Sequence, residues 1–434
     1  MTAFETRQIH EGQTPDSDTG ARALPIYQTT SFVFNDAQIA ADRFALKDLG
    51  PVYSRLANPT VQAVEERIAS LEGGVGAVLT ASGQAAAFLA IINIAGAGDH
   101  VVASPSLYGG TYNLLDVTMR KLGVETTFVE NPDNIDEWKA AVQPNTKAFF
   151  GETLTNPQSS VLNLPELSKA AHDAGVPLIV DNTLATPYLL RPIEHGADVV
   201  LHSATKFLGG HGNSIAGVIV DSGNFDYSAD PEKFPGFNEP DESYNGLVYA
   251  RDLGPDSDFG ANVSYGIKIR VQLLRDLGPS ASPFNAFLIA QGLETLSLRV
   301  ERHVENAQKV AKFLENHDQV THVNYAGLES SPYNALAKQL LPKGTGAVLS
   351  FDIAGGYDAA VKFVEALELH SHVANIGDAR SLVIHPASTT HSQLSEDAQG
   401  KSGVNPALVR LSVGLEGVDD IIADLEKGFA AARG

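Results

Sequence analysis

The spacing of apolar residues along the chain changes near residue 66 and again near residue 271. Before residue 66 it follows neither the strand period nor the helix period, although residues 24–34 look extended. We therefore interpret residues 1–65 as an irregular arm that packs on something else, such as another subunit. Residues 66–270 alternate apolar runs with helical patterns, which indicates an α/β domain with a mostly parallel sheet buried on both faces. The strands are predicted at 77–82, 99–104, 124–130, 146–153, 177–183, 197–206 and 216–222.

Two further segments complete the predicted organisation. Residues 223–266 are rich in Pro, Gly, Asp and aromatic residues, and we interpret them as an ordered insertion in the first domain. Residues 271–434 begin with a long helical pattern at 282–317, in which we expect a bend at Gly292. Strands and helices then mix, which predicts a smaller α+β C-terminal domain. Its strands are predicted at 346–355 and 408–416, and its helices at 358–368 and 419–433.

The composition narrows the classes of function. The 434 residues carry a formal net charge of −22, which disfavours binding to nucleic acid or to an anionic membrane surface. The chain contains no cysteine, so disulfides, thiolate nucleophiles and Cys-ligated metal sites are excluded. No apolar stretch reaches the roughly 20 residues that span a bilayer, and the first residues do not resemble a signal peptide. We therefore expect a cytoplasmic protein, and we expect no metal site.

Polar clusters follow several of the predicted strands, where ligands bind in an open parallel sheet. Ser82-Gly83-Gln84 opens an Ala-rich helix, whose free N–H groups and partial positive charge suit a phosphate. The alternative is a simple N-cap by Ser82. Asp181 follows four apolar residues and needs a partner such as a protonated ring nitrogen, because an unpaired buried charge is costly. The alternative is an aspartate that caps a turn.

Lys206 ends another apolar run and precedes a Gly-rich loop, with Ser203 and Thr205 beside it. A partly desolvated lysine is a nucleophile for aldehydes; the alternative is a surface lysine. Each cluster alone is weak evidence. Together, a lysine for the aldehyde, an acid for the ring nitrogen and a helix N-terminus for the phosphate fit one ligand, pyridoxal 5′-phosphate.

Motifs along essentially the whole chain then carry a specific resemblance. They are Tyr53-Ser54-Arg55, Asn58-Pro59-Thr60, Ser82-Gly83-Gln84, Glu152-Thr153 with Asn156-Pro157, Asp181-Asn182-Thr183, Ser203-Ala204-Thr205-Lys206 and the stretch 381–395. With them the chain resembles the Cys/Met-metabolism family of pyridoxal-phosphate enzymes. The resemblance implies the fold-type I architecture, with a mostly parallel central sheet, a smaller C-terminal domain and an N-terminal arm.

The resemblance also implies roles for individual residues in holding the cofactor. Lys206 would be the Schiff-base lysine and would move protons, Asp181 would pair with the ring nitrogen, and Tyr108 would stack on the ring. These three are the predicted catalytic residues. The remaining predicted cofactor-binding residues are Ser82, Gly83, Gln84, Asn156, Ser203, Thr205 and, from a neighbouring subunit, Tyr53 and Arg55. Sharing residues in this way implies a homodimer, and the family suggests a tetramer made of two such dimers.

The substrate side of the site is implied in the same way. Arg410 would bind the substrate α-carboxylate through its planar fork, assisted by Asn156 and Ser381. The insertion 223–266 and the helix that begins at residue 282 are similar to those of O-acetylhomoserine sulfhydrylases. Relatives that form or cleave cystathionine often carry Glu where this chain has Arg380. The loss of that acid disfavours a second amino acid and favours sulfide or a small thiol.

The expected reaction is therefore replacement of the acetate of O-acetyl-L-homoserine by sulfide or methanethiol, giving homocysteine or methionine. A cystathionine γ-synthase and a methionine or cystathionine γ-lyase remain the nearer alternatives, although methionine γ-lyases usually carry an active-site cysteine that this chain lacks. A protein of this fold that binds the cofactor without turnover is the more distant alternative.

Overall fold

The computed structural model describes residues 2–389 and 403–433. Its larger sheet has seven strands in the order β1-β7-β6-β5-β4-β2-β3, and only β7 runs antiparallel to its neighbours. This confirms the predicted α/β fold with a mostly parallel central sheet. The strands are β1 (Gly76–Thr80), β2 (His100–Ala103), β3 (Glu125–Phe128), β4 (Thr146–Glu152), β5 (Leu178–Asp181), β6 (Val199–Ser203) and β7 (Gly217–Asp221).

A second sheet forms from the carboxyl-terminal part of the chain. Its five strands have the order β10-β11-β12-β9-β8, and all pairs except β10 with β11 are antiparallel. The strands are β8 (Val320–Asn324), β9 (Val348–Ile353), β10 (Ser371–His372), β11 (Leu382–Ile384) and β12 (Leu408–Ser412). The sequence pattern had missed β8, β10 and β11, because they are short or largely exposed.

Helices cover both sheets. In chain order they are α1 (Phe4–His10), α2 (Ala37–Phe44), α3 (Pro59–Glu72), α4 (Gly83–Ile92), α5 (Gly109–Asn113), α6 (Ile135–Ala140), α7 (Leu164–Asp173), α8 (Thr186–Leu189), α9 (Pro235–Asn238), α10 (Tyr249–Asp252), α11 (Ser264–Lys268), α12 (Arg275–Leu277), α13 (Pro283–Leu293), α14 (Leu296–Glu315), α15 (Asn334–Leu340), α16 (Gly356–Glu365) and α17 (Val418–Ala432). A wider π-helical turn continues α5 over Leu114–Met119, and another joins α11 to α12 over Ile269–Leu274. Short 3₁₀ turns lie at Pro192–His195, Glu242–Tyr244 and Pro386–Ser388. No helix within the described ranges is long and apolar enough to cross a membrane.

The arm is less irregular than predicted, because α1 and α2 lie within it and α3 begins before residue 65. The ring of Phe4 packs against Tyr188 with centroids 5.2 Å apart, so the first helix belongs to the core. Residues 24–34 make only one isolated bridge, from Ser31 to Tyr53. Hydrogen bonds to Asn58 and Thr60 hold the first half of this segment on α3, whereas Val33 near its end remains 91% exposed.

The predicted bend in the long helix is a break between α13 and α14, directly after Leu293. Gly292 lies against the loop that follows Lys206, and a Cβ atom there would stand 2.2 Å from the carbonyl oxygen of Gly209. The insertion 223–266 is held by buried aromatic side chains rather than by regular structure. Tyr227 and Phe237 stack at 4.2 Å and both belong to the core on the α4 side of the sheet.

Candidate active site

Three neighbouring strands end at the same edge of the larger sheet and bring the predicted polar clusters together. Glu152 at the end of β4 pairs directly with Asp181 at the end of β5, and β6 lies beside β5. Ser203 is the last residue of β6, and Lys206 follows three residues later. The carboxyl ends of parallel strands are where an open α/β sheet binds its ligands.

The amino-terminal end of α4 faces the end of β6. Ser82 caps this helix by accepting a hydrogen bond from the Ala85 N–H at 3.1 Å, so the N-cap interpretation is right. The N–H groups of Gly83 and Gln84 donate to no other described residue, and they remain free for an anion. A Cβ on Gly83 would lie 2.8 Å from the Cβ of Ser203. Glycine therefore lets the helix end approach the strand end closely.

Thr205 holds the turn between the end of β6 and the start of β7. Its hydroxyl donates to the carbonyl of Ala216 at 3.2 Å and accepts from the Ala216 N–H at 3.1 Å. The side chain of Gln84 accepts a hydrogen bond from the Thr111 hydroxyl at 3.1 Å. Thr205 and Gln84 thus already have partners within the chain, and Ser203 is only partly buried beside them.

The ε-amine of Lys206 is partly buried and donates a hydrogen bond to the side-chain oxygen of Asn375 at 2.5 Å. Burial is the main cause that lowers the pKa of Lys206, and the positive charge of Arg410 lowers it further. A lysine in such surroundings carries a neutral amine at a lower pH than a surface lysine. The surface-lysine alternative is therefore wrong.

Among the described residues, no cationic side chain forms an ion pair with the two carboxyl groups at the ends of β4 and β5. Burial raises the pKa of Asp181, and the hydrogen bonds from Thr183 are the main causes that oppose this rise. Burial and the neighbouring Asp181 raise the pKa of Glu152 well above its usual range. Glu152 accepts a hydrogen bond from the Tyr108 N–H at 2.5 Å, while Asp181 accepts one from the Thr183 N–H at 2.9 Å. A cation beside Asp181 would relieve the burial of its charge.

Arg410 comes from β12 of the second sheet and reaches this edge of the first. Its guanidinium donates to the carbonyl of Asn375 at 3.0 Å and to the side chain of Asn156 at 3.4 Å. Its Nε is buried without a hydrogen-bond partner in the described chain. Burial lowers the pKa of Arg410 to about 10, which the nearby Tyr108 opposes. A buried guanidinium that makes no ion pair with a described residue suits a carboxylate ligand.

Three of the predicted residues stand apart from this cluster. Tyr53 and Arg55 are exposed, and their closest mutual approach is 5.1 Å from the guanidinium to the ring centroid. Ser381 is fully buried, and its hydroxyl donates to Glu416 at 2.9 Å and accepts from the Gly414 N–H at 2.9 Å. The predicted help from Ser381 in substrate binding is therefore not available through its hydroxyl in this conformation.

Sequence reasoning missed two residues of the site. Asn375 lies in the loop between β10 and β11, and no periodic pattern marks it. Glu152 belongs to one of the family motifs, and its position after six buried strand residues is the same signal that marks Asp181. The buried His370 bonds to Asp424 at 2.8 Å. No metal-binding group of side chains is found within residues 2–389 and 403–433.

The part of the motif 381–395 beyond residue 389 lies outside the described residues.

The site fits pyridoxal phosphate on the chemistry of its groups. The free N–H groups at the start of α4 suit the phosphate, and Asp181 suits a protonated ring nitrogen. The partly buried amine of Lys206 suits the aldehyde. Tyr108 lies at the edge of the site with 52% of its surface exposed, which leaves its ring free to stack. Arg410 then remains for the carboxylate of an amino-acid substrate.

Comparisons with known proteins agree with this chemistry. The family model for Cys/Met metabolism PLP-dependent enzymes matches residues 5–430. An O-acetyl-L-homoserine sulfhydrylase of Corynebacterium glutamicum is 58% identical over 431 residues, which cover 99% of this chain and 97% of the relative. A homocysteine synthase of Schizosaccharomyces pombe is 50% identical over 430 residues, covering 99% and 98%.

Solved structures resemble the chain over its full length. One is assigned as an O-acetylhomoserine (thiol)-lyase from Campylobacter jejuni and contains N′-pyridoxyl-lysine-5′-monophosphate. It has a TM-score of 0.94 and 40% identity, and the match covers 99% of this chain and 100% of that one. A cystathionine gamma-lyase from Lactobacillus plantarum in complex with L-serine has a TM-score of 0.84 and 33% identity, with both chains covered completely.

Proposed function

Because the chain belongs to the Cys/Met metabolism PLP-dependent enzyme family, we propose that it is an O-acetyl-L-homoserine sulfhydrylase. The reaction replaces the acetate of O-acetyl-L-homoserine by sulfide and releases L-homocysteine and acetate, a step of methionine biosynthesis. The observation that carries the proposal is the meeting of Lys206, Asp181 and Arg410 in a chain that is 58% identical over nearly its full length to a relative of that name.

Bound pyridoxal phosphate supplies an electron sink that makes the substrate α-proton acidic. Lys206 would hold the cofactor, and its free amine would remove that proton, because its lowered pKa keeps the amine neutral nearer to neutral pH. The same amine would then remove a proton from the β carbon, which must happen before acetate can leave the γ carbon and sulfide can add there. Lys206 would finally return protons to the carbon atoms of the product, which completes the replacement.

The other residues of the site bind and orient. Asp181 would hold the ring nitrogen in its protonated form, and the N–H groups of Gly83 and Gln84 would hold the phosphate. Ser203 and Thr205 would add hydroxyl groups on the same side. Arg410 would bind the substrate α-carboxylate, which satisfies its unpartnered Nε.

The choice of sulfide over a second amino acid is supported at position 380. The side chain of Arg380 is 68% exposed and donates to Asp378 at 2.9 Å, so no acid at this position receives the ammonium group of an incoming cysteine. A positive side chain there disfavours that ammonium group by like-charge repulsion. Sulfide and small thiols carry no such group.

We also propose that two copies of the chain share their active sites and that two such dimers form a tetramer. Tyr53 and Arg55 are exposed on an arm that also exposes Val33, Phe44 and Leu49. Apolar side chains exposed in this number on one segment are typical of an interface. In the dimer, Tyr53 and Arg55 would reach the phosphate of the neighbouring subunit.

The test is product analysis of the purified protein with O-acetyl-L-homoserine, offered sulfide in one reaction and L-cysteine in another. We expect rapid homocysteine formation with sulfide and little cystathionine with cysteine. The Lys206→Ala variant is the blank, and it should lose both turnover and the absorption of the lysine-bound cofactor. Preferential cystathionine would identify a synthase instead. Cofactor binding without either product would favour a lyase or a non-catalytic protein.

A further inference from the structure

The turn that carries Lys206 ends in carbonyl groups that the backbone itself does not use. Within this turn the Lys206 N–H donates to the carbonyl of Ser203 at 3.1 Å, and the Gly210 N–H donates to the carbonyl of Lys206 at 2.7 Å. No backbone N–H of the described chain donates to the carbonyls of Phe207 and Leu208. Carbonyls at the end of a helical turn need a donor from elsewhere when they are buried.

Arg299, near the start of α14, supplies these donors. Its Nη1 donates to the carbonyl of Phe207 at 2.8 Å, and its Nη2 donates to the carbonyl of Leu208 at 3.2 Å. The Nη2 also donates to the carbonyl of Gly292 at 2.7 Å, and the Nε donates to the hydroxyl of Thr295 at 3.3 Å. All three nitrogens of the guanidinium therefore hold oxygen atoms around the Lys206 turn and the break between α13 and α14.

The charge of this guanidinium has no acidic partner among the described residues. Arg299 is only 6% exposed. Burial lowers its pKa to about 10, so the group still carries its proton at neutral pH. Burying a cation without an ion pair is costly, and the carbonyl ends of two helical turns offset part of that cost. Packing alone therefore does not explain an arginine at this position.

The surroundings leave the turn little room to shift. A Cβ atom on Gly210 would collide with the guanidinium of Arg299, and one on Gly377 would lie 2.7 Å from the backbone nitrogen of Phe207. The ring of Phe207 packs edge-on against His303, one turn further along α14, with the ring centroids 5.4 Å apart. The backbone after the lysine is thus held by α14 on one side and by the loop between β10 and β11 on the other.

We propose that Arg299 is a positioning residue for Lys206. It fixes the backbone after the lysine, so that the ε-amine stands where the aldehyde of the cofactor arrives. When the amine adds to the aldehyde carbon, a C=N bond forms and water leaves. The nitrogen must then lie at bonding distance from a carbon that the phosphate and ring contacts have already placed. The inference rests on the proposed function only in that Lys206 carries the cofactor.

The experiment compares two ligands of the cofactor-free, full-length protein. Pyridoxal phosphate can use the phosphate, ring-nitrogen and lysine contacts, whereas 4′-deoxypyridoxine 5′-phosphate lacks the aldehyde and uses only the first two. In Arg299→Lys, one amine replaces a planar fork that holds the turn. We expect the dissociation constant for pyridoxal phosphate to rise about tenfold, on the order of one lost charge-assisted hydrogen bond. The dissociation constant for the deoxy analogue should stay unchanged.

The matched control is Arg67→Lys. Arg67 is 1% exposed and donates to the carbonyl of Glu11 at 2.9 Å, but it lies on α3 and holds the end of α1. This variant should bind both ligands as the wild type does. Thr295→Val keeps Arg299 and removes the hydroxyl that accepts from its Nε, so it decides the question if Arg299→Lys does not fold. It should weaken the binding of pyridoxal phosphate alone, by roughly threefold.

The comparison of the two ligands separates a positioning role from a general structural one. Equal weakening of both ligands in Arg299→Lys would mean that the substitution disturbs the whole site, and it would overturn the proposal. Unchanged binding of pyridoxal phosphate would overturn it as well, and both results leave the proposed sulfhydrylase reaction untouched. Wild-type protein that binds the aldehyde no more tightly than the analogue would instead contradict the role of Lys206, and with it the proposed function.

Discussion

The ε-amine of Lys206 donates a hydrogen bond of 2.5 Å to the side-chain oxygen of Asn375, although 169 positions separate the two residues in the sequence. The backbone carbonyl of Asn375 accepts a hydrogen bond from Arg410 at 3.0 Å. One loop residue of the second sheet therefore contacts both the lysine that would bear the cofactor and the arginine that would bind the substrate. Substrate binding and the position of the free amine would be linked through it.

The first prediction concerns the variant Asn375→Asp. A carboxylate at this distance favours the charged amine and should raise the pKa of Lys206 by about one to two units. Since the neutral amine is the base, activity then requires a higher pH. The acid limb of the kcat–pH profile should move upward by the same amount, as measured by initial rates at saturating substrate.

The control for this variant is Asn316→Asp, the same change at an exposed residue whose side chain donates to the carbonyl of Lys312 in the preceding helix. Its profile should match that of the wild type. An Asn375→Asp enzyme with an unshifted acid limb would show that the amine does not lie beside Asn375 during turnover.

The second prediction concerns Arg410→Lys. A lysine keeps the charge but loses the planar fork, so the substrate carboxylate loses at least one charged hydrogen bond, worth roughly 1.5–3 kcal/mol. KM for O-acetyl-L-homoserine should rise about 10- to 100-fold, with a smaller change in kcat. Arg302→Lys, on the exposed face of α14, is the control. If KM is unchanged in Arg410→Lys, another group binds the carboxylate.

The third prediction concerns the stability of the fold. Asp221, at the end of β7, is buried, and within the described part of the chain its carboxyl group accepts hydrogen bonds only from the N–H groups of Gly223 and Gly266. Burial raises its pKa to about 7. Because the folded-state pKa lies above the unfolded value, the protonated carboxyl makes its full contribution to the free energy of unfolding at acid pH. That contribution is lost as the pH rises from about 4 through about 7.

Asp221→Asn removes this titration. Relative to the wild type, the variant should therefore gain stability as the pH rises over the same range, by at most about 4 kcal/mol. The measurement is the thermal midpoint at fixed protein concentration across the pH range. Asp256→Asn, at an exposed position, should keep the wild-type slope. An Asp221→Asn protein with the same slope would mean that this carboxyl does not titrate near neutrality.

The fourth prediction tests the shared active site. Arg55→Ala should weaken cofactor retention, because a charged hydrogen bond to the phosphate is lost. Mixing Arg55→Ala with Lys206→Ala subunits should restore about one quarter of wild-type activity. Half of the randomly formed dimers are mixed, and each of these has one intact site. The measurement is activity after the two proteins are unfolded, refolded together and given cofactor.

The control is Arg43→Ala, another arginine of the arm, which binds Asp48 and Pro51 of its own chain. It should retain the cofactor as the wild type does. If the mixture of Arg55→Ala and Lys206→Ala gains no activity over its components, Arg55 acts within its own subunit or not at all.

The sequence by itself determined the class of fold and the centre of the site. Buried parallel strands are continuous apolar runs, so the positions where polar side chains interrupt them could be read directly at Asp181 and Lys206. Gly83, at the start of an apolar helix, marked in the same way the helix end that would hold the phosphate. These signals are local, because burial and backbone hydrogen bonding act on neighbouring residues.

Only the tertiary structure decided how distant segments meet at that centre. Asn375 reaches Lys206 because the second sheet packs against the first, and no local pattern encodes that contact. Glu72 and His202 meet because the last residue of α3 lies against β6, and the hydroxyl of Ser381 is held by Glu416. Side chains from separate elements pair according to three-dimensional packing and local charge, which depend on the whole fold rather than on the spacing of residues within one segment.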